Sequence, residues 1–136
     1  MTDVVIAGIG QTPVGEHWEL SLRTLAVRAI QAARKDAGGL RPQAMYIGNF
    51  LASMVSHQAN LGSLLAEWSG LNGIEGYTVE SAGASGASAF RMGYLAVASG
   101  MVDTALVVGV EKFNDAIGPQ LEFALAQSGD YDYEMI

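Results

Sequence analysis

Cysteine is absent from all 136 residues. With it go disulfides, a thiolate nucleophile and any cysteine-based zinc site within this chain. Basic charge is scarce: seven Lys and Arg stand against fourteen Asp and Glu, for a formal net charge of −7. Nucleic-acid binding needs a net basic stripe to neutralise phosphates, so that class of partner is disfavoured. Long apolar runs are missing as well. No stretch approaches the ~18 consecutive apolar residues of a membrane span, and Asp3 stands where a signal peptide would carry positive charge. The expectation is a soluble, cytoplasmic protein with no membrane partner. His17 and His57 are the only histidines, with no second ligand at metal spacing, so no metal site is expected.

Half of the residues are hydrophobic, enough for one domain with a continuous core. Four of the basic residues, Arg23, Arg28, Arg34 and Lys35, share one helix-like segment and read as a solvated face. Toward the end, Glu111, Asp115, Glu122, Asp130, Asp132 and Glu134 face only Lys112.

Apolar periodicity predicts four strands and three helices. "DVVIAGIG" (3–10) is β-branched and ends in glycines, the pattern of a buried strand feeding a turn. Ser21 is placed to cap a helix in which Leu22, Leu25, Ala26, Ala29, Ile30, Ala33 and Ala37 recur at three- and four-residue spacing, with Gly38 or Gly39 as its stop. "AMYIGNFL" (44–51) reads as a second strand, 60–71 as a shorter helix and "GYTVES" (76–81) as a third strand. A helix over 84–99, closed by Gly100, leads to the strand "TALVVGVEK" (104–112). The order β-α-β-α-β-α-β implies a mainly parallel sheet with right-handed crossovers. Ligands of such sheets bind beyond the carboxyl ends of the strands, where residues 81–86 fall.

The helix over 84–99 has small residues on every face and a single charge, Arg91. It lacks a broad polar stripe, so burial nearly all round is expected. Around it, several motifs stop short of known chemistry. "GIGQTP" has Pro13 in place of the third glycine of a dinucleotide fingerprint, the helix starts only about ten residues later, and no acid ends the second strand near Phe50. "GASGA" (83–87) is not the nucleophile elbow G-x-S-x-G, because Ala87 replaces the second glycine. Helix-start capping is the simpler role for Ser85. Glu80 reads as a polar anchor or a surface residue, and Glu111 and Lys112 as a polar strand end. His57, after a strand's carboxyl end, is placed to reach the rim near Gly83.

"VVIAGIGQTPVG", "VESAGASGASAFRMGYLAVASG" and "DTALVVGVEKF", in this order and spacing, resemble the N-terminal part of the thiolase superfamily, in the branch of archaeal-type and sterol-carrier-associated thiolases and lipid-transfer-protein-like enzymes. The likeness covers nearly the whole chain, including the closing "ALAQSGDYDYE". It implies the first half of a five-layered α-β-α-β-α fold, with the small-residue helix as the buried central one and an absent second half carrying further acid and base residues. The chain is then an incomplete N-terminal domain over 1–136.

In that family the junction reads like "ACASG", with the nucleophilic cysteine at the helix N-terminus, where the dipole lowers its pKa. Here it reads "AGASG", and Gly83 takes the cysteine's place. The backbone N–H of Gly83 is retained as an oxyanion donor, but a thioester link to the protein is impossible there. The resemblance further implies a coenzyme A thioester as substrate with no covalently bound cofactor, substrate contacts at Ser85, Gly86 and His57, a homodimer through the 76–81 strand, and a small zinc-binding OB-fold partner. Three readings follow: a non-covalent, retro-aldolase-like enzyme of acyl-CoA metabolism; an acetyl-CoA C-acyltransferase whose cysteine has been removed; and a non-catalytic thiolase-like scaffold subunit.

Overall fold

The computed structural model describes residues 3–134. Ser21 adopts extended backbone and its Oγ accepts from Thr24 N at 3.1 Å, so the first predicted helix, α1, runs Leu22–Asp36. Such a cap is worth about 1 kcal/mol. Leu22, Leu25, Ala26 and Ile30 form its buried stripe. Gly38, at φ +66°, ends it by taking a left-handed conformation that a residue with a Cβ resists.

Three five-residue strands follow: β1 (Ala44–Gly48), β2 (Glu75–Val79) and β3 (Ala105–Gly109). They form a parallel sheet in the order β2-β1-β3, with Ala44 opposite both Glu75 and Ala105. The short α2 (Ala52–Val55) and then α3 (Leu61–Trp68) connect β1 to β2; α4 (Ser85–Ala98) connects β2 to β3. The chain closes with α5 (Pro119–Ala126) and α6 (Tyr131–Glu134).

The period of two in β1 divides the interior. Met45 and Ile47 point into one core with Leu22, Ala26 and Ile30 of α1 and Leu61 and Leu65 of α3. Ala44 and Tyr46 point the opposite way, onto Ala89 and Ala96 of α4. The result is three layers, helices on both faces of a parallel sheet, as an N-terminal half of the expected fold requires. Full burial of each Leu or Ile contributes about 1.5–3 kcal/mol, so the first of these cores carries most of the stability.

The first predicted strand is not one. Residues 3–10 join no ladder, and Val5, Ile6 and Ile9 are 81%, 70% and 74% exposed. The run is fastened to α1 instead: Ile9 N–H donates to Asp36 Oδ2 at 2.9 Å, and a Cβ on Gly8 would lie 2.5 Å from the Ala37 nitrogen. A gap of about 640 Å³ lies between the run and β3, bounded by Ala33 of α1 and by Phe90 and Tyr94 of α4. Apolar pattern marks a segment as ready for burial, but a strand exists only by pairing with a neighbour about 4.8 Å away.

The remaining differences are smaller. The strands end earlier than the apolar runs that signal them, and α2, α5 and α6 carry no clear periodicity in the sequence. The basic face of α1 is not wholly solvated: the Arg23 guanidinium stacks 3.6 Å above the Trp68 ring, and Arg34 Nη1 donates to Ser69 O at 3.1 Å, both toward the end of α3. Helix α4 buries one stripe, Ser85, Ala89, Gly93 and Ala96, rather than its whole surface. Its other side presents Phe90, Met92, Tyr94 and Leu95, each about half exposed. No helix among the described residues is long and apolar enough to cross a membrane.

Candidate active site at the start of α4

The carboxyl ends of the three strands meet at the start of α4. Glycine in β1 permits the meeting: a Cβ on Gly48 would fall 2.5 Å from Ser85 O and 2.7 Å from Gly86 Cα, so the helix N-terminus rests directly on the strand. Further along α4, Gly93 lies close against Val107 of β3 for the same steric reason. These two contacts set the height of the helix start above the sheet.

Behind Gly48, Asn49 and Glu111 clamp the ends of β1 and β3. Asn49 Nδ2 donates to Val110 O and to Glu111 Oε1, both at 2.8 Å. The other oxygen of Glu111 accepts from Phe50 N at 2.9 Å and Leu51 N at 3.1 Å, and Asn49 Oδ1 accepts from Ala52 N. Every polar atom of this pair that bonds is spent on backbone or on its mate. Glu111 therefore acts as a structural carboxylate, more than the plain polar strand end its position suggested. Lys112 beside it is buried and paired with Asp115.

From β2 the chain enters a single 3-10 turn, Ala82–Ala84, before α4. Ala82 is left-handed, at φ +46°. For a residue with a Cβ this costs about 1–3 kcal/mol. Its N–H donates to the Glu80 carboxylate through Oε1. A hydrogen bond to a charged acceptor is worth about 1.5–3 kcal/mol, comparable with the strain. The Ala82 carbonyl accepts from Ser85 Oγ at 2.7 Å, and Ser85 Oγ accepts from Ser81 N at 2.9 Å. Ser88 Oγ donates to Ser81 Oγ at 2.9 Å. The turn is thus laced by serines and one carboxylate.

Gly83 stands at the apex, exposed, and its N–H has no acceptor among the described residues. A Cβ built there would meet nothing within 4 Å, and the same is true of Gly86. The position is open to a side chain and to a ligand alike. Ser85, in contrast, is buried, and its hydroxyl is engaged on both sides by the preceding turn; it does not cap α4 as its place at the helix start suggested, because the N-cap is Ala84, which has no side-chain hydrogen bond to give.

His57 occupies the loop after α2 with φ +51° and exposed side chain. It shares no hydrogen bond with Gly83, Ser85 or Gly86 among the described residues. The small cavity of about 180 Å³ at the ends of β1 and β2 is lined instead by its neighbour Gln58 with Asn49, Ser53, Asn60, Thr78 and Glu80. His17 lies far along the sequence in the first loop, its Nε2 2.7 Å from Pro13 O. No cluster of three or more His, Asp or Glu among the described residues is placed to hold a metal ion. The sequence pattern had missed Gly48 and Asn49; their signal was only a glycine and an amide at a strand end, which many turns share.

A family model described as the thiolase N-terminal domain matches residues 4–124. Two proteins named acetyl-CoA acetyltransferase are similar to the chain. That of Methanothermobacter thermautotrophicus is 40% identical over 136 residues, covering 98% of this chain and 35% of its own length. That of Methanocaldococcus jannaschii is 43% identical over 138 aligned positions, covering 100% and 35% respectively. The benzoylsuccinyl-CoA thiolase subunit BbsB of Thauera aromatica is 33% identical over 132 residues, covering 92% and 32%. The chain spans about a third of the length of these curated relatives.

Proposed function

The chain belongs to the thiolase family, whose N-terminal domain it matches, and on that premise we propose that it carries one wall of an acyl-CoA site where a carbon–carbon bond is made or broken without an acyl-enzyme. One observation carries the reading. The sequence resemblance sets Gly83 at the position of the family nucleophile, flanked by Ala82, Ala84, Ser85 and Gly86, and the N–H of Gly83 has no acceptor among the described residues. A free N–H at the start of a 14-residue helix favours negative charge developing on a thioester oxygen.

In a retro-aldol cleavage of a β-hydroxyacyl-CoA, a base removes the hydroxyl proton and that oxygen becomes a carbonyl. The bond between the α and β carbons breaks, and its electron pair passes to the thioester as an enolate. Gly83 N–H stabilises the enolate oxygen until the α carbon takes up a proton. By the sequence resemblance, the acid and base would come from the family's second half. Incubating the full-length protein with radiolabelled acetyl-CoA tests the proposal: no label should stay on the denatured protein, and a stable acyl-enzyme overturns it.

A second reading is favoured by the open space at Gly83 and by the names of the two archaeal relatives. It makes the protein an acetyl-CoA C-acyltransferase without its cysteine. Gly83→Cys would then recover thiolysis of a β-ketoacyl-CoA, whereas an inactive, folded variant favours the first reading. Assembly is a separate proposal. Among the described residues the outer edge of β2 is unpaired, in keeping with a homodimer through this strand, and a small zinc-binding OB-fold partner and the scaffold role rest on the sequence resemblance alone. Co-purification of the full-length protein tests both.

A further inference from the structure

Resting on the reading that Gly83 N–H meets the substrate oxygen, we propose that Glu80 is the positioning residue for that donor, acting through the left-handed backbone of Ala82. The Ala82 carbonyl and the Gly83 N–H belong to one planar peptide unit and point in opposite directions. Whatever fixes the carbonyl therefore aims the N–H. Ser85 Oγ holds the carbonyl at 2.7 Å, which turns the Gly83 N–H to the opposite side of the peptide, and there it has no acceptor among the described residues.

That orientation exists only while Ala82 stays at φ +46°, a conformation that alanine abandons when nothing restrains it. The Glu80 carboxylate supplies the restraint on the other side of the residue, by accepting from Ala82 N. It reaches there because Glu80 directly follows β2, whose last residue is held in register opposite Gly48. The same Gly48 carries the start of α4. Strand, carboxylate and helix start thus converge on one peptide plane. Glu80 touches no reacting atom in this arrangement, so its contribution lies in geometry.

The test uses the full-length protein and three variants. Glu80→Ala is expected to lower kcat about tenfold, a fraction of the ~10²–10³ lost when an oxyanion donor is deleted, while KM changes less than about twofold. Glu80→Gln keeps an acceptor oxygen for Ala82 N–H and should retain kcat within about threefold. Glycine takes the left-handed region freely, so adding Ala82→Gly to Glu80→Ala should recover most of the lost kcat. A merely structural carboxylate would not be rescued that way.

Crystal structures of the variants give the reading that does not depend on activity. Ala82 should leave the left-handed region in Glu80→Ala and keep it in Glu80→Gln. A left-handed Ala82 in Glu80→Ala, equal losses of kcat in the Ala and Gln variants, or failure of the glycine rescue overturns the proposal. Should the parent protein turn over no acyl-CoA, the functional reading falls, and the φ of Ala82 in these variants still decides what Glu80 does. If Glu80→Ala alone does not fold, the double variant and Glu80→Gln carry the same decision.

Discussion

Residues 3–10 and β1 are both short apolar runs ending in glycine, and the structure treats them in opposite ways. In β1 both edges are paired, both faces are covered by helices, and Met45 and Ile47 are wholly buried. Among the described residues the first run has no ladder partner on either side, and Ile6 is left 70% exposed. The difference teaches that apolar content marks a segment's tendency to be buried, while the neighbours decide whether it is. Here the run faces a gap of about 640 Å³ instead of a paired strand, with β3 on the far side of that gap.

The sharpest way to break this contrast is to truncate one residue in each. Ile47→Ala should cost about 2–5 kcal/mol of unfolding free energy in urea, since it opens a cavity in the core. Ile6→Ala should change it by no more than about 0.5 kcal/mol, as for other exposed positions. Equal losses would mean that the first run is covered in solution, and the contrast would fail. Next in size is Gly48→Ala. Its new methyl group would press on the backbone of Ser85 and Gly86, which cannot step aside as a flexible side chain would. A loss of about 1–3 kcal/mol is expected, and amide shifts at residues 83–86 should report the displaced helix start.

Gly10→Ala probes the other run. A Cβ there would overlap the Ala33 amide of α1, so the segment should lift from the helix. Limited proteolysis is expected to cut before residue 15 faster than in the parent, with urea stability lowered by less than about 1 kcal/mol. A large stability loss would show that the run belongs to the cooperative core after all.

The smallest effect sharpens the picture of β1. Burial, reinforced by Glu75 and Tyr77, holds the Tyr46 hydroxyl above its ordinary value of 10. The folded state therefore keeps its proton longer than the unfolded chain. The resulting stability is complete below about pH 10 and is lost as pH rises through the raised value. Tyr46→Phe removes this titration. The variant should lose less stability than the parent between about pH 9 and 11, followed by urea midpoints, and parallel curves would contradict the burial of this ring.

Most of the helical frame was legible residue by residue. Ser21, the three- and four-residue spacing after it and Gly38 marked α1 at both ends, because capping and amphipathic periodicity act within a few residues of one another. The missing side chain at Gly83 was equally legible, since its meaning lies in the residues flanking it. The four-residue α2 and α6 were not, because about one turn leaves no room for a period to show, and α5, though as long as α3, lacks the one-sided apolar spacing that marked α3.

Local pattern therefore settled that the chain alternates strand and helix, that the 84–99 region is a helix wanting apolar company, and that no thiol chemistry starts at residue 83. Only the packed structure decided that residues 3–10 pair with nothing here, that Gly48 supports the helix start, and that Glu111 and Glu80 spend their carboxylates on backbone N–H groups. Those outcomes join residues up to about sixty positions apart through space, as in the bonds from Glu111 to Phe50 and Leu51. Spacing along a chain records which residues share a face; it carries no record of which distant backbone will come to lie against that face.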